Sequence, residues 1–240
     1  MSISVKTIEA NLSAVRSRIA SACASRQRNV EDVTLVAVTK TVDVDAIKTL
    51  IELGVCDIGE SRVAQMLERR REIETWLGGS EFKGQPVRWH LIGHLQRNKV
   101  KIAIEAADVI HSVDSLRLAD EINGVCEKLR RVARVLMQVN CSNEVQKFGV
   151  AVGATVHLGE LITTFPNIEL MGLMTMAAFS DNPEDARPTF VRLRELFEEM
   201  RSEKIATGSF GHLSMGMSQD YPVAIEEGAT MIRVGSALFE

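Results

Sequence analysis

Apolar residues recur along this 240-residue chain in two rhythms. Near the start, Val5, Ile8, Leu12, Val15 and Ile19 fall at three- and four-residue steps, which lays one apolar stripe along a helix. The same stretch, residues 1–29, carries five basic residues against one acid, Glu9. An organelle transit peptide shares that charge balance, but the apolar stripe favours a helix docked on the rest of the protein. Beyond it, short apolar runs rich in β-branched residues predict strands near 34–39, 55–58, 87–92, 108–112, 133–139, 168–174, 210–214 and 230–234.

Helical patterns separate these strands. Asp43 reads as the N-cap of a helix carrying Val44, Ile47 and Ile51. Val63, Met66, Ile73 and Leu77 outline the next, stopped at Gly78 and Gly79. Asp114 is a candidate cap for a helix with Ala119, Ile122, Cys126 and Leu129 inward. Phe190, Leu193, Phe197 and Met200 mark a long helix near 184–205, and Asp220 caps a short one that starts near Pro222 and stops at Gly228. Strands alternating with helices predict a parallel sheet. Eight such units suit an α/β fold of one domain, 1–240: a closed (β/α)8 TIM barrel with an extra N-terminal helix. A doubly wound open sheet is the alternative. The chain ends six residues after the last expected strand, so the final outer helix should be short or missing, with residues 1–29 filling the gap. The segment 78–86 is the one stretch expected to be mobile.

Composition narrows the function classes. A net charge of −4 argues against a general nucleic-acid binder. No apolar run approaches the roughly 20 residues of a membrane helix. Cys23, Cys56, Cys126 and Cys141 lie far apart, without a CxxC pair, and read as reduced thiols of a cytoplasmic protein rather than a disulfide framework or zinc site.

In such a barrel the chemistry sits at the C-terminal ends of the strands. The first strand delivers Lys40 there. Apolar surroundings lower a lysine pKa, and the neutral amine condenses with aldehydes; the bland alternative is a lysine that clears the strand and reaches water. Strands seven and eight lead into Ser214 and the run Arg233, Val234, Gly235, Ser236. Hydroxyls, a close backbone at glycine and a fixed cation suit a phosphate, although ordinary turn residues would look the same. His90 and His94 sit on a strand running into a glycine turn, so their rings need not converge, and no nearby carboxylate completes a metal ligand set. His90 is either a polar residue near the mouth or a satisfied core histidine. The basic run 96–101 reads as a solvated helix start, and the methionines at 171–176 and 215–217 as packing.

Seven strings occur in register over nearly the whole length: 35–40, 58–62, 89–96 with Asn98 and Lys99, Val139 and Asn140 with Glu144, Lys147 and Gly149, then 172–176, 213–218 and 233–236. Together they resemble the pyridoxal phosphate homeostasis proteins, the YggS/PROSC family. The resemblance implies a barrel similar to the alanine racemase N-terminal domain that binds pyridoxal 5′-phosphate (PLP). Lys40 then matches the lysine of the internal aldimine. Ser214, Gly235 and Ser236 match the phosphate binders, and Arg233 the arginine facing the pyridine nitrogen. His90 and Ser61 are further cofactor-site candidates; Ser61 stands where asparagine is usual.

A racemase needs a second base, in alanine racemases a tyrosine from a separate domain. This chain has one tyrosine, Tyr221, and no second domain is apparent. The resemblance therefore implies a non-enzymatic PLP holder in vitamin B6 homeostasis, with PLP and PLP-requiring apoenzymes as partners, no metal, and no nucleic acid or membrane. A monomer is expected, with a dimer as the alternative. The alternative functions are a PLP enzyme acting on amino acids, such as a weak racemase, and a cofactor-free Schiff-base barrel.

Overall fold

β-branched residues fit a pleated surface covered on both faces, and each strand runs into a helix whose apolar stripe covers it. The computed structural model describes residues 3–79, 84–142, 144, 148–205 and 208–240. Residues 80–83 of the segment expected to be mobile, and Lys147 of the family string, lie outside them. The first half runs α1 (Val5–Ser25), β1 (Thr34–Val38), α2 (Val44–Glu52), β2 (Asp57–Glu60), α3 (Val63–Gly79), β3 (Arg88–Leu91), α4 (Val100–Ala106), β4 (Val109–Val113) and α5 (Leu116–Leu129). The second half runs β5 (Ala133–Asn140), β6 (Val150–Ala151), α6 (Thr155–Thr163), β7 (Ile168–Met174), α7 (Arg187–Ser202), β8 (His212–Ser214), α8 (Tyr221–Glu226), β9 (Met231–Val234) and α9 (Ser236–Phe239).

The strands pair in the order β4-β3-β2-β1-β9-β8-β7-β5, and a β4–β5 pairing closes the ring. All pairs are parallel, so this is the eight-stranded TIM barrel rather than an open sheet. The two-residue β6 is a short appendage on β5. Closure joins the first strand to the last, with Val36 opposite Arg233 and Ala37 opposite Val234. Helix α1 buries Ile8, Leu12, Val15 and Ile19, while Val5 stays exposed. It packs against α8, α9 and α2, and the Asn11 amide donates to the carbonyls of Leu238 and Glu240.

Several boundaries differ from the sequence expectation. β2 starts at Asp57 and includes Gly59 and Glu60, two residues later than the run 55–58 suggests. Ser115, not Asp114, caps α5, its hydroxyl accepting from the Leu118 N–H. Asp43 does cap α2, accepting from the Ala46 N–H at 3.0 Å. Asp220 stands at the N-cap of α8, but its carboxylate accepts from the Met217 N–H instead. The basic run becomes a 3-10 turn, Arg97–Lys99, leading into α4.

Strand alternation separates two cores. Ile58, Trp89, Ile110, Leu213 and Ile232 face outward into the helix–sheet layer. Inside the barrel, Leu136, Met174 and Met231 form a smaller apolar cluster with Met171 and Met176. That cluster fills only part of the interior; the rest holds polar side chains together with Val36 and Val109, which pair with Arg233 and His90. All four cysteines are buried and unbonded. Among the described residues, no helix is long and apolar enough to cross a membrane.

Candidate functional site

The C-terminal ends of the strands open on a cavity of about 660 Å³. Lys40, Ser61, Arg233, Gly235 and Ser236 line it, together with Ser218, which the sequence reading passed over. Lys40 lies in the turn just past β1 and is exposed at the mouth. Its side chain thus clears the apolar strand and reaches water, the bland alternative of the sequence reading, while still lining the cavity. The wall beside it needs glycine: a Cβ on Gly93 would lie 2.2 Å from the Ser61 carbonyl oxygen.

Next to β1 in the ring, the end of β9 and the turn after β8 gather backbone donors. The N–H groups of Gly235 and Ala237 both donate to the Ser218 hydroxyl, at 3.1 and 3.3 Å. Gly216, at φ +93°, makes the turn that brings Ser218 there; a Cβ would strike Ala224 and Tyr221. Ser218 belongs to the string 213–218, but only the folded turn shows which of its two serines faces the cavity.

Ser214 and His90 are not cavity residues; both lie beneath it, inside the barrel. Arg233 is 4% exposed, and its guanidinium donates to Ser214 Oγ at 2.6 Å and to the Thr175 carbonyl at 2.8 Å. Ser214 Oγ lies 2.9 Å from His111 Nδ1, His111 Nε2 lies 2.9 Å from His90 Nδ1, and His90 Nε2 lies 2.8 Å from Asp57 Oδ1. At the outer end Arg88 pairs with Asp57 at 2.8 Å. One hydrogen-bonded line thus runs from the cavity floor to the opposite end of the barrel. Burial pulls Arg233 down to about 10, with Asp220 opposing, and holds His111 well below the ordinary histidine range. Burial also works against the ionised form of Asp57, but hydrogen bonds from His90 and Arg88 outweigh it and leave this carboxyl below its usual value. His90 is buried, with both ring nitrogens hydrogen-bonded inside the barrel. Ser214, its hydroxyl engaged on both sides, does not line the cavity.

A second buried network lies outside the barrel, under the Lys40 turn. Glu60 is fully buried and accepts from the Thr39 hydroxyl at 2.6 Å and from Arg69 of α3. Arg69 also donates to the carbonyls of Thr39 and Val42, the residues that bracket Lys40 and Thr41. Periodicity could not show this, because the partners come from three separate elements.

At the rim, His94 Nδ1 lies 3.2 Å from Asp114 Oδ2, and its ring stacks on Phe148 at 3.9 Å. His90 and His94 do not converge. Each has its own carboxylate, contrary to the sequence reading that found none nearby. Tyr221 opens α8, as expected, but is fully buried beneath α1, with the Arg18 guanidinium 5.1 Å over its ring. It is not among the residues lining the cavity.

Residues 3–240 match the family model described as alanine racemase, N-terminal domain. The pyridoxal phosphate homeostasis protein of Aquifex aeolicus is 40% identical, covering 95% of both chains, and that of Bos taurus is 35% identical over 95% of this chain and 85% of its own. Among solved structures, an unknown protein from Bifidobacterium adolescentis superposes with a TM-score of 0.92 at 32% identity, covering 98% of this chain and 95% of its own. PipY of Synechococcus elongatus, with PLP bound, superposes at 0.77 and 31% identity, covering 92% of this chain and 100% of its own. Alanine racemase of Clostridium difficile shares the fold alone, at 0.74 and 18% identity over 99% of this chain and 57% of its own. With its barrel closed, its strand ends gathered on one cavity and relatives matched along nearly their full length, this chain belongs to the pyridoxal phosphate homeostasis protein family, built on the alanine racemase N-terminal domain.

Proposed function

We propose that this chain binds PLP in the cavity at the strand ends and holds it, through Lys40, as a cytoplasmic store that serves PLP-requiring apoenzymes. The observation that carries this is the convergence of an amine, a buried guanidinium and a cluster of backbone and hydroxyl donors on one cavity. The donor set fits the ligand. A phosphate takes N–H and O–H donors: the Ser218 and Ser236 hydroxyls would supply O–H, and the Gly235 N–H, which here donates to Ser218 Oγ, would supply N–H by exchanging that partner for a phosphate oxygen. A pyridine nitrogen takes one N–H donor, which Arg233 offers from the floor. Ser218 replaces Ser214 in the phosphate set, and Ser61 contributes to the wall. The names of the homeostasis relatives and the PLP in PipY support the same reading.

PLP, when bound, supplies a reactive aldehyde and an electron-withdrawing ring. Arg233 tempers the ring, because a cation beside the pyridine nitrogen disfavours its protonation. The Lys40 amine at the cavity mouth would hold PLP there and limit its stray reaction with other amines. Four buried, unbonded thiols support a reducing compartment.

A single experiment tests the central claim. The purified protein is loaded with PLP, its visible spectrum recorded, and the adduct reduced with borohydride and mapped. A yellow protein labelled at Lys40 is expected; a colourless protein that PLP cannot reconstitute would refute the assignment. One observation favours a second reading as an amino-acid-acting enzyme. His94 lines the cavity with a carboxylate at its back, the pairing a general base uses. Sustained racemisation or transamination, lost in His94→Ala, would establish that reading over the store.

A further inference from the structure

The line of side chains inside the barrel has a direction, and its two ends set it. Arg233 can only donate, and the Asp57 carboxylate can only accept. Arg233 Nη1 donates to Ser214 Oγ. The hydroxyl hydrogen of Ser214 then has one neighbouring acceptor, His111 Nδ1. That leaves His111 Nε2–H to donate to His90 Nδ1, and His90 Nε2–H to donate to Asp57. Every proton has a partner when both imidazoles carry theirs on Nε2. The reverse polarity would place a histidine N–H and an arginine N–H on the same Ser214 oxygen and bury the hydroxyl hydrogen without an acceptor, which is costly in this setting.

We propose that Asp57 is a positioning residue for Arg233: it anchors the far end of the line, and through His90, His111 and Ser214 it keeps an acceptor facing the guanidinium on the cavity floor. Asp57 touches no cavity residue and stands at the opposite end of the barrel, where Arg88 holds it in turn. Each link comes from a different strand: β2, β3, β4, β8 and β9. Arg233 is thereby fixed by two acceptors, Ser214 and the Thr175 carbonyl, while it still lines the cavity. The consequence for ligand holding rests on the PLP reading above; the polarity itself does not.

Long-range nitrogen–proton NMR on the PLP-free protein reads the polarity directly. His90 and His111 should both appear as Nε2–H tautomers. An Nδ1–H tautomer or an imidazolium at either site near neutral pH would overturn the proposal. Two variants test the positioning. Asp57→Asn keeps an acceptor oxygen and should keep both tautomers and wild-type PLP affinity. Asp57→Leu removes the acceptor and should scramble the His90 tautomer, weaken PLP at least about fivefold and shift its absorption band. Unchanged tautomers and affinity in Asp57→Leu, or equal loss in both variants, would overturn the proposal. If Asp57→Leu does not fold, the wild-type tautomers still decide the polarity. If the wild type takes up no PLP, the function reading fails while the NMR result stands.

Discussion

Two buried polar networks support this cavity, and they work in opposite ways. Under the Lys40 turn, Glu60 and Arg69 meet directly, and Arg69 spends its remaining donors on the backbone carbonyls of Thr39 and Val42. Inside the barrel, Arg233 and Asp57 are held apart, joined by a hydroxyl and two imidazoles. The outer network fixes main chain and so sets where the lysine emerges. The inner one fixes a side chain and so sets which way a cation points. A compact ion pair suits the first task because it grips several backbone atoms at once. A relay suits the second because the interior must also be filled, and imidazoles fill space while carrying a hydrogen bond through it.

Breaking the outer network should cost most. Arg69→Met leaves the Glu60 carboxylate buried without its cation, and Glu60 Oε2 already has no hydrogen-bond partner among the described residues. A loss of about 3–5 kcal/mol in urea unfolding is expected, with PLP uptake falling as the turn loosens; a change below ~1 kcal/mol would mean that the turn holds itself.

The inner network should show itself in pH rather than in gross stability. Folded His111 refuses a proton that the unfolded chain accepts below about pH 6.5. The unfolded state then binds more protons, so stability falls as pH drops from there, by up to ~1.4 kcal/mol per unit. Comparing thermal midpoints at several pH values should show this slope in the wild type and a flatter one in His111→Asn. A second loss should follow near and below about pH 4, where the depressed Asp57 carboxyl is finally protonated. Smallest of all is Arg88→Ala. Arg88 is about half exposed, and its pair with Asp57 should contribute only about 0.2–1 kcal/mol, weakening with salt. A larger loss would mean that Arg88 is an integral end of the relay.

Much of this site was legible in the sequence because a barrel sends every strand end to one face. Lys40, Arg233, Gly235 and Ser236 follow from that rule once eight strands are counted. The relay was hidden. The apolar run at 55–58 predicts the second strand two residues early, so Asp57 falls inside it instead of opening it and Glu60 falls beyond its end instead of closing it. An expected strand at 108–112 puts His111 near its end, whereas His111 points inward from the middle of β4, and only contact with β3 and β8 reveals its role. Ser214 and Ser218 share one string, and the choice between them depends on the Gly216 turn. Residues defined by local rhythm were readable; residues defined by partners on other strands were not.

The seam between β1 and β9 has a consequence for biogenesis. Lys40 follows the first strand and Arg233 lies in the last, so neither half of the cavity is useful until the ring zips shut. Parallel pairing between such distant segments is slow to form. A partly synthesised or nicked chain would therefore leave reactive aldehyde unguarded, and capture would begin only when folding is complete. A ligand bridging Lys40 and Arg233 across that seam would in turn depopulate open rings by mass action.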